Sequence, residues 1–200
     1  MALEMPVSAD PSESLPAFSK LQASAVRLFA AKGYDGAHVS DIAREAGIRK
    51  SSVYAHCQSK EDLFMGLLRR VMAHELKLVG ATLARDGLLA GLRRHFEELP
   101  QRFEEDPPCH KFVLKSIYTP PLELSGRVAA LGLEFFPDLT ELFKKAASVG
   151  GVPPERLESV ADATLAVMDS VHVVSLYGPE FYGRRLDAVW AMYERHVTLA

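Results

Sequence analysis

Apolar positions recur at helical spacing along almost the whole chain. Phe18, Leu21, Ala25, Leu28 and Phe29 share one face, which predicts an amphipathic helix ended by Gly33. Ile42, Ala43 and Ala46 mark a short helix over Ser40 to Ala46, and Gly47 suits a left-handed turn after it. Arg49 to His56 reads as a second short helix, polar except for an inward Val53. Ser59-Lys60-Glu61-Asp62 reads as the capped start of a long helix to about Arg85, striped by Phe64, Leu67, Leu68, Val71, Met72, Leu76, Val79 and Leu83.

Asp86-Gly87 interrupts the pattern. Leu88, Leu92, Phe96, Leu99 and Phe103 then continue a helical face, with a bend expected at Pro100. Further helices are expected over Cys109 to Tyr118, Leu124 to Ser148 and Leu157 to Tyr177, with a last one after Gly178-Pro179. No stretch alternates with period two for long, so the fold class is all-α. The expected organisation is a tail over 1–15, a three-helix head over 16–62 and a helical body over 63–200.

The helix from Leu157 is apolar over much of its circumference, which implies cover on several sides. Val160, Val167, Val171 and Val174 from it, with Val189, Trp190, Tyr193 and Val197 from the last helix, are expected to pack against their twofold copies as a dimer interface. The alternative is that both helices simply cover the core of a single chain.

Two short helices joined by a tight glycine turn make no core alone. They suit a helix-turn-helix that lays its second helix in a major groove. Arg49 and Lys50 stand at the start of that helix, where the helix dipole favours anions. Ser51, Ser52, Tyr54 and His56 are hydrogen-bond donors of short reach, and Lys60 at the next helix start is placed for a phosphate. The bland reading of Tyr54, His56 and Lys60 is a solvated surface.

Gly33-Tyr34, Val39-x-Asp41-Ile42-Ala43, Ala46-Gly47-Ile48, Tyr54-x-His56 and Ser59-Lys60-x-x-Leu63 together resemble the N-terminal DNA-binding segment of TetR-family regulators. The resemblance spans about residues 18 to 70. It implies an all-helical homodimer with a helix-turn-helix head and a C-terminal ligand-binding and dimerisation domain. It also implies a repressor of transcription, released from double-stranded operator DNA by a small molecule. Lys50, Ser51, Ser52, Tyr54, His56 and Lys60 match family positions that commonly touch DNA. The chain departs from the family pattern at Ala37, His38 and Arg49, where Ser or Thr is usual, and at Cys57, where an aromatic residue usually follows the histidine.

Charge agrees with a local DNA contact. The chain carries a net −3, yet Phe18 to Lys60 holds seven Lys or Arg against three Asp or Glu, leaving the remainder near −7. Two cysteines without metal-like spacing, no secretory leader and no bilayer-length apolar run lead to the expectation of a cytoplasmic protein without membrane partner, metal or cofactor. No catalytic motif is present, so no enzyme is expected. Phe96, Phe103, Phe112, Tyr118, Phe135 and Phe136 are candidates to line a cavity for a partly apolar effector, with His95, His110, Arg127 or His172 as polar anchors. Plain core is the competing reading for each aromatic, and a satisfied buried group the one for His172. The rival function is a helical small-molecule-binding protein that has lost DNA binding.

Overall fold

The computed structural model describes residues 16–105 and 107–198, together with their side chains except those of residues 16–19, Phe103, Pro107, Leu176 and Pro179. Expectations for the tail over 1–15 and for the Phe103 side chain therefore lie outside the described residues. Among those described, every regular element is helical: α1 (Pro16–Gly36), α2 (Val39–Ala46), α3 (Lys50–Val53), α4 (Lys60–Asp86), α5 (Leu88–Glu105), α6 (Pro107–Tyr118), α7 (Ser125–Val149), α8 (Leu157–Val174) and α9 (Pro179–Thr198). Single 3-10 turns precede α7 and α8, and a third follows α8 at Ser175–Tyr177. The chain divides into two compact units, one ending at Leu67 and the other starting at Leu68, within α4.

In the first unit, Leu21, Ala25 and Phe29 of α1 are buried, as are Ile42, Ala43 and Ala46 of α2, Val53 of α3 and Leu63 and Phe64 of α4. Tyr34 and Phe29 each meet the Phe64 ring edge-on, at centroid distances of 5.3 and 5.1 Å. These aromatics tie the end of α1 to the start of α4, at roughly 0.5–1.5 kcal/mol per pair beyond simple burial. Gly33 breaks the helical dihedrals inside α1, where the sequence places the end of that helix.

In the second unit one core gathers Val79 and Leu83 of α4, Leu92, Phe96 and Leu99 of α5, Phe143 and Ala147 of α7, Val160, Val167 and Val171 of α8 and Leu186, Trp190, Tyr193 and Val197 of α9. Gly91 permits the close approach of α5 to α4, since a Cβ there would lie 2.8 Å from the Thr82 carbonyl oxygen. Pro100 sits inside α5. Having no N–H, it leaves the Phe96 carbonyl without its helical donor. The Tyr182 hydroxyl of α9 donates to that oxygen at 2.6 Å. The orphaned acceptor thus becomes a bond between α5 and α9.

This core corrects the interface expected from the sequence. Val160, Val167, Val171, Trp190, Tyr193 and Val197 are buried within a single chain and present no surface to a second copy. Trp190 packs edge-on against Phe96 at 6.4 Å and beside Tyr193 at 5.4 Å, and the Thr164 and Tyr193 hydroxyls bond at 2.6 Å. Val174 and Val189 are half-buried against the same core. The helical period sorts apolar residues onto faces, but it does not say which face meets the chain's own core.

Candidate nucleic-acid interface

Local chemistry builds the head's exposed edge. α2 ends at Gly47, whose φ of 71° and ψ of 27° are left-handed, and its N–H caps the carbonyls of Ala43 and Arg44. The turn delivers Arg49 in an extended conformation and α3 starts at Lys50. α3 is a single turn, shorter than the Arg49 to His56 helix expected from the sequence. Arg49 offers no capping oxygen, and Ser51, Ser52 and Val53 are indifferent helix formers. The backbone then closes on the Val53 carbonyl, which accepts from the N–H of His56 at 2.9 Å and of Cys57 at 3.2 Å. The Cys57 thiol adds a third contact to the same oxygen at 3.4 Å. Burial, with Asp62 nearby, pushes that thiol's pKa up, so it stays protonated and bonded.

Val53 is fully buried and anchors the segment. Arg49, Lys50, Ser51 and His56 are exposed, Ser52 is half-buried and Tyr54 is 47% exposed. A stretch of eight residues therefore offers two cations, hydroxyls, an imidazole and a phenol to solvent from one fixed anchor. At the next helix start, the Asp62 N–H donates to Ser59 Oγ at 3.0 Å, the cap expected from the sequence. Lys60 stands apart from the other expected contacts. Its ammonium donates to the Tyr34 carbonyl at 3.0 Å and lies 4.0 Å from the Tyr34 ring centroid. It clasps α1 to α4 as well as standing at the head's surface.

The sequence reading also passed over an ionic brace. Asp41 of α2 takes Arg44 at 2.7 Å and Lys32 of α1 at 3.5 Å. Burial raises the Asp41 pKa, but Arg44 and Lys32 outweigh it and hold the carboxyl below its ordinary range. The visible signal was the i, i+3 spacing of Asp41 and Arg44.

Residues 21–67 match the family model described as bacterial regulatory proteins, tetR family. The head therefore matches the DNA-binding segment of TetR-family regulators. The biofilm operon icaADBC HTH-type negative transcriptional regulator IcaR of Staphylococcus epidermidis is 40% identical over 45 residues, 22% of this chain and 24% of that protein. Its counterpart in Staphylococcus aureus strain Newman is 42% identical over the same length, with the same two shares. The chain spans about a quarter of the length of these relatives. The whole fold has solved counterparts. The fatty acid degradation regulator FadR from Bacillus halodurans is 17% identical, with 90% of this chain and 96% of that one covered at a TM-score of 0.70. The transcriptional regulator FadR from Bacillus subtilis, in complex with stearoyl-CoA, is 16% identical, with 90% and 98% covered at a TM-score of 0.69. The all-helical fold is therefore one already seen in solved structures.

The residues expected to line an effector cavity do not form one set. Phe96 and Phe112 are fully buried core. Arg127 is exposed, Phe136 is 46% exposed and Phe135 is half-buried along α7. These positions correct the cavity reading for Arg127 and Phe136, which face solvent because they lie on the outer side of α7. The Tyr118 hydroxyl is bonded to Asp169 at 3.1 Å. His95, His110 and His172 do come together, around an arginine that the sequence reading overlooked. Arg102 Nη2 lies 3.3 and 3.4 Å from the two His95 ring nitrogens, and the His95 and His172 rings are 6.5 Å apart. Arg102 follows His95 by seven residues and Leu99 by three, which places all three on one helix face. Among the described residues no group of His, Cys, Asp and Glu could hold a metal ion, and no helix is long and apolar enough to cross a membrane.

Proposed function

We propose that this protein is a homodimeric, sequence-specific DNA-binding regulator of transcription, a repressor that a small molecule releases from its operator. The observation that carries the reading is the exposed set Arg49, Lys50, Ser51, Tyr54 and His56, displayed by a short helix on the fully buried Val53 within a TetR-family head. The first unit is assigned DNA binding; the second is assigned the effector and the dimer contact. IcaR's description as a negative regulator supports repression, and the stearoyl-CoA bound to the Bacillus subtilis fold relative supports an effector site in the body.

The dimer contact is assigned to the outer face of α8 and α9, opposite the residues buried in the core. Ala166, Ser170 and Val173 of α8, Tyr177 after it, and Phe181, Ala188 and Met192 of α9 recur at helical spacing there. Tyr177 is 68% exposed and Met192 76%. Ser170, Val173, Tyr177 and Phe181 line a shallow groove with Asp169 and Arg185, whose opposite charges suit it to a second copy of itself. Small residues at Ala166, Ser170 and Ala188 permit close approach of helices.

Each subunit would place α3 in a major groove, with half-sites about 34–36 Å apart or a multiple of that. Phosphate contacts would dominate affinity and make it fall steeply with salt. Release requires an effector that binds one dimer arrangement better than the other. The test is a titration of the DNA flanking the protein's own gene against a shuffled fragment. The native chain is expected to prefer the flanking DNA. Tyr54→Ala should bind it about tenfold or more weakly, the loss of roughly 1–3 kcal/mol typical of one good contact. Equal binding of both fragments by the native chain would leave the effector-binding rival standing. In the same preparations, Met192→Glu is expected to sediment as a monomer with an unchanged helical spectrum. A Met192→Glu dimer as tight as the native one would remove this face from the assignment.

A further inference from the structure

The second unit holds a charged group that its own neighbours satisfy poorly. The Arg102 side chain is only 25% exposed, and its Nε atom is buried with no hydrogen-bond partner. Its carboxylate, Glu75 of α4, stands 3.3 Å from Nη1, and the His95 nitrogens stand 3.3 and 3.4 Å from Nη2. Charge-assisted bonds usually close to about 2.7–2.9 Å. Other arginines of this chain reach that range: Arg27 meets Glu45 at 2.7 Å and Arg93 meets Asp187 at 2.7 Å. The loose contact is thus a property of the Arg102 site.

The surroundings add donors, and among the described residues no second carboxylate pairs with Arg102. His95 is 2% exposed, and His172 of α8 stands edge-on to it. His110 of α6 lies close enough that both Arg102 and His172 depress its pKa. All three histidines are held neutral near pH 7, chiefly by burial, so none supplies a compensating charge or competes as a cation. Four helices meet here, and they also bury Phe96, Leu99, Phe112 and Val171. The site therefore combines one under-bonded guanidinium, three imidazoles able to donate or accept, and the apolar Phe96 ring beside His95.

We propose that Arg102, ringed by His95, His110 and His172, anchors the acid group of the effector, and that the effector is an apolar carboxylic acid. The proposal rests on the reading of the body as an effector domain and names the chemistry that body accepts. A guanidinium fork matches the two oxygens of a carboxylate. One fixed positive charge balances one carboxylate, whereas a phosphate monoester would bring nearly two negative charges to it. Glu75 holds the place in the ligand-free chain, and an incoming acid takes over its contact at shorter range.

The probes are octanoate and octanol, which share an apolar chain and differ in the acid group. Binding is followed on the full-length protein by calorimetry, by the thermal midpoint and by the fluorescence of Trp190, the chain's single tryptophan. Octanoate is expected to bind at least ten times tighter than octanol and to raise the midpoint. Arg102→Met is expected to abolish that preference while still accepting the alkyl chain. If Arg102→Met fails to fold, Glu75→Gln supplies the second arm. With its competitor gone, Arg102 should bind octanoate at least threefold tighter. A native chain that does not prefer octanoate, an Arg102→Met variant that keeps the preference, or a Glu75→Gln variant with unchanged or weaker binding would each overturn the proposal. Operator binding measured on the same samples separates the two readings. Operator recognition without acid preference removes the acid site alone, and acid preference in a protein indifferent to DNA removes the regulator alone.

Discussion

Lowering the pH from 7 to 4 is expected to unfold the body of this protein, with most of the loss above pH 5. The cause is the three histidines around Arg102. In the folded chain burial, assisted by Arg102 and His172, holds His95 at about 3. Burial, His172 and Arg102 hold His110 at about 3, and burial with Arg102 holds His172 at about 4. Unfolded histidines take up protons near 6.5, so between that value and the folded ones the unfolded chain binds more protons. Stability is therefore complete above about pH 6.5, falls as the pH drops and stops falling from this source below the folded values. Each histidine contributes a slope of up to about 1.4 kcal/mol per pH unit. Three together rival a typical domain stability of about 5–15 kcal/mol within two to three units. The depressed carboxylates Asp86 and Glu134 act in the same direction but only at lower pH, where carboxylates titrate. A circular-dichroism titration checks the result, and His172→Gln should move the acid midpoint downward. A body that stays folded and unchanged from pH 7 to 5 would contradict the burial of these rings.

The second large effect is on Trp190. Trp190→Ala is expected to cost about 3–5 kcal/mol, the range for deleting a large buried aromatic side chain. In a body of this size that lowers the melting temperature by roughly 10 °C or more. The ring is 8% exposed, packs against Phe96 and Tyr193, and has the Arg93 guanidinium 5.7 Å from its centroid. The loss should be intrinsic to the monomer and so persist across protein concentration. A melting temperature that recovers as concentration rises would instead restore Trp190 to a subunit interface.

Trp190 also marks how far the sequence could be read. The head was legible because its signals are local. Ile42, Ala43 and Ala46 fix the inner face of α2, Gly47 turns the chain, and Ser59 caps α4 within three residues of Asp62. The length of α3 was overread, because a polar stretch with one inward valine fits one helical turn as well as two. In the body, periodicity located α8 and α9 and their apolar character. It could not choose between own core and partner for Val160 or Val197, since that depends on which helices lie alongside. Apolar content also drew attention to Phe136, which faces solvent, and away from Arg102, whose place on the face of His95 and Leu99 was readable from spacing alone.

The hydroxyl that Tyr182 lends to the proline-broken turn of α5 has a mechanical consequence. A helix that borrows a donor from its neighbour cannot slip along it without stranding a carbonyl in the dry interior, at a cost of about 1–3 kcal/mol. Arg102 lies two residues beyond that break, and Met192 lies ten residues beyond Tyr182 on the helix that supplies the donor. The bond therefore favours movements in which α5 and α9 travel together, carrying a displacement near the guanidinium toward the outer surface of α9.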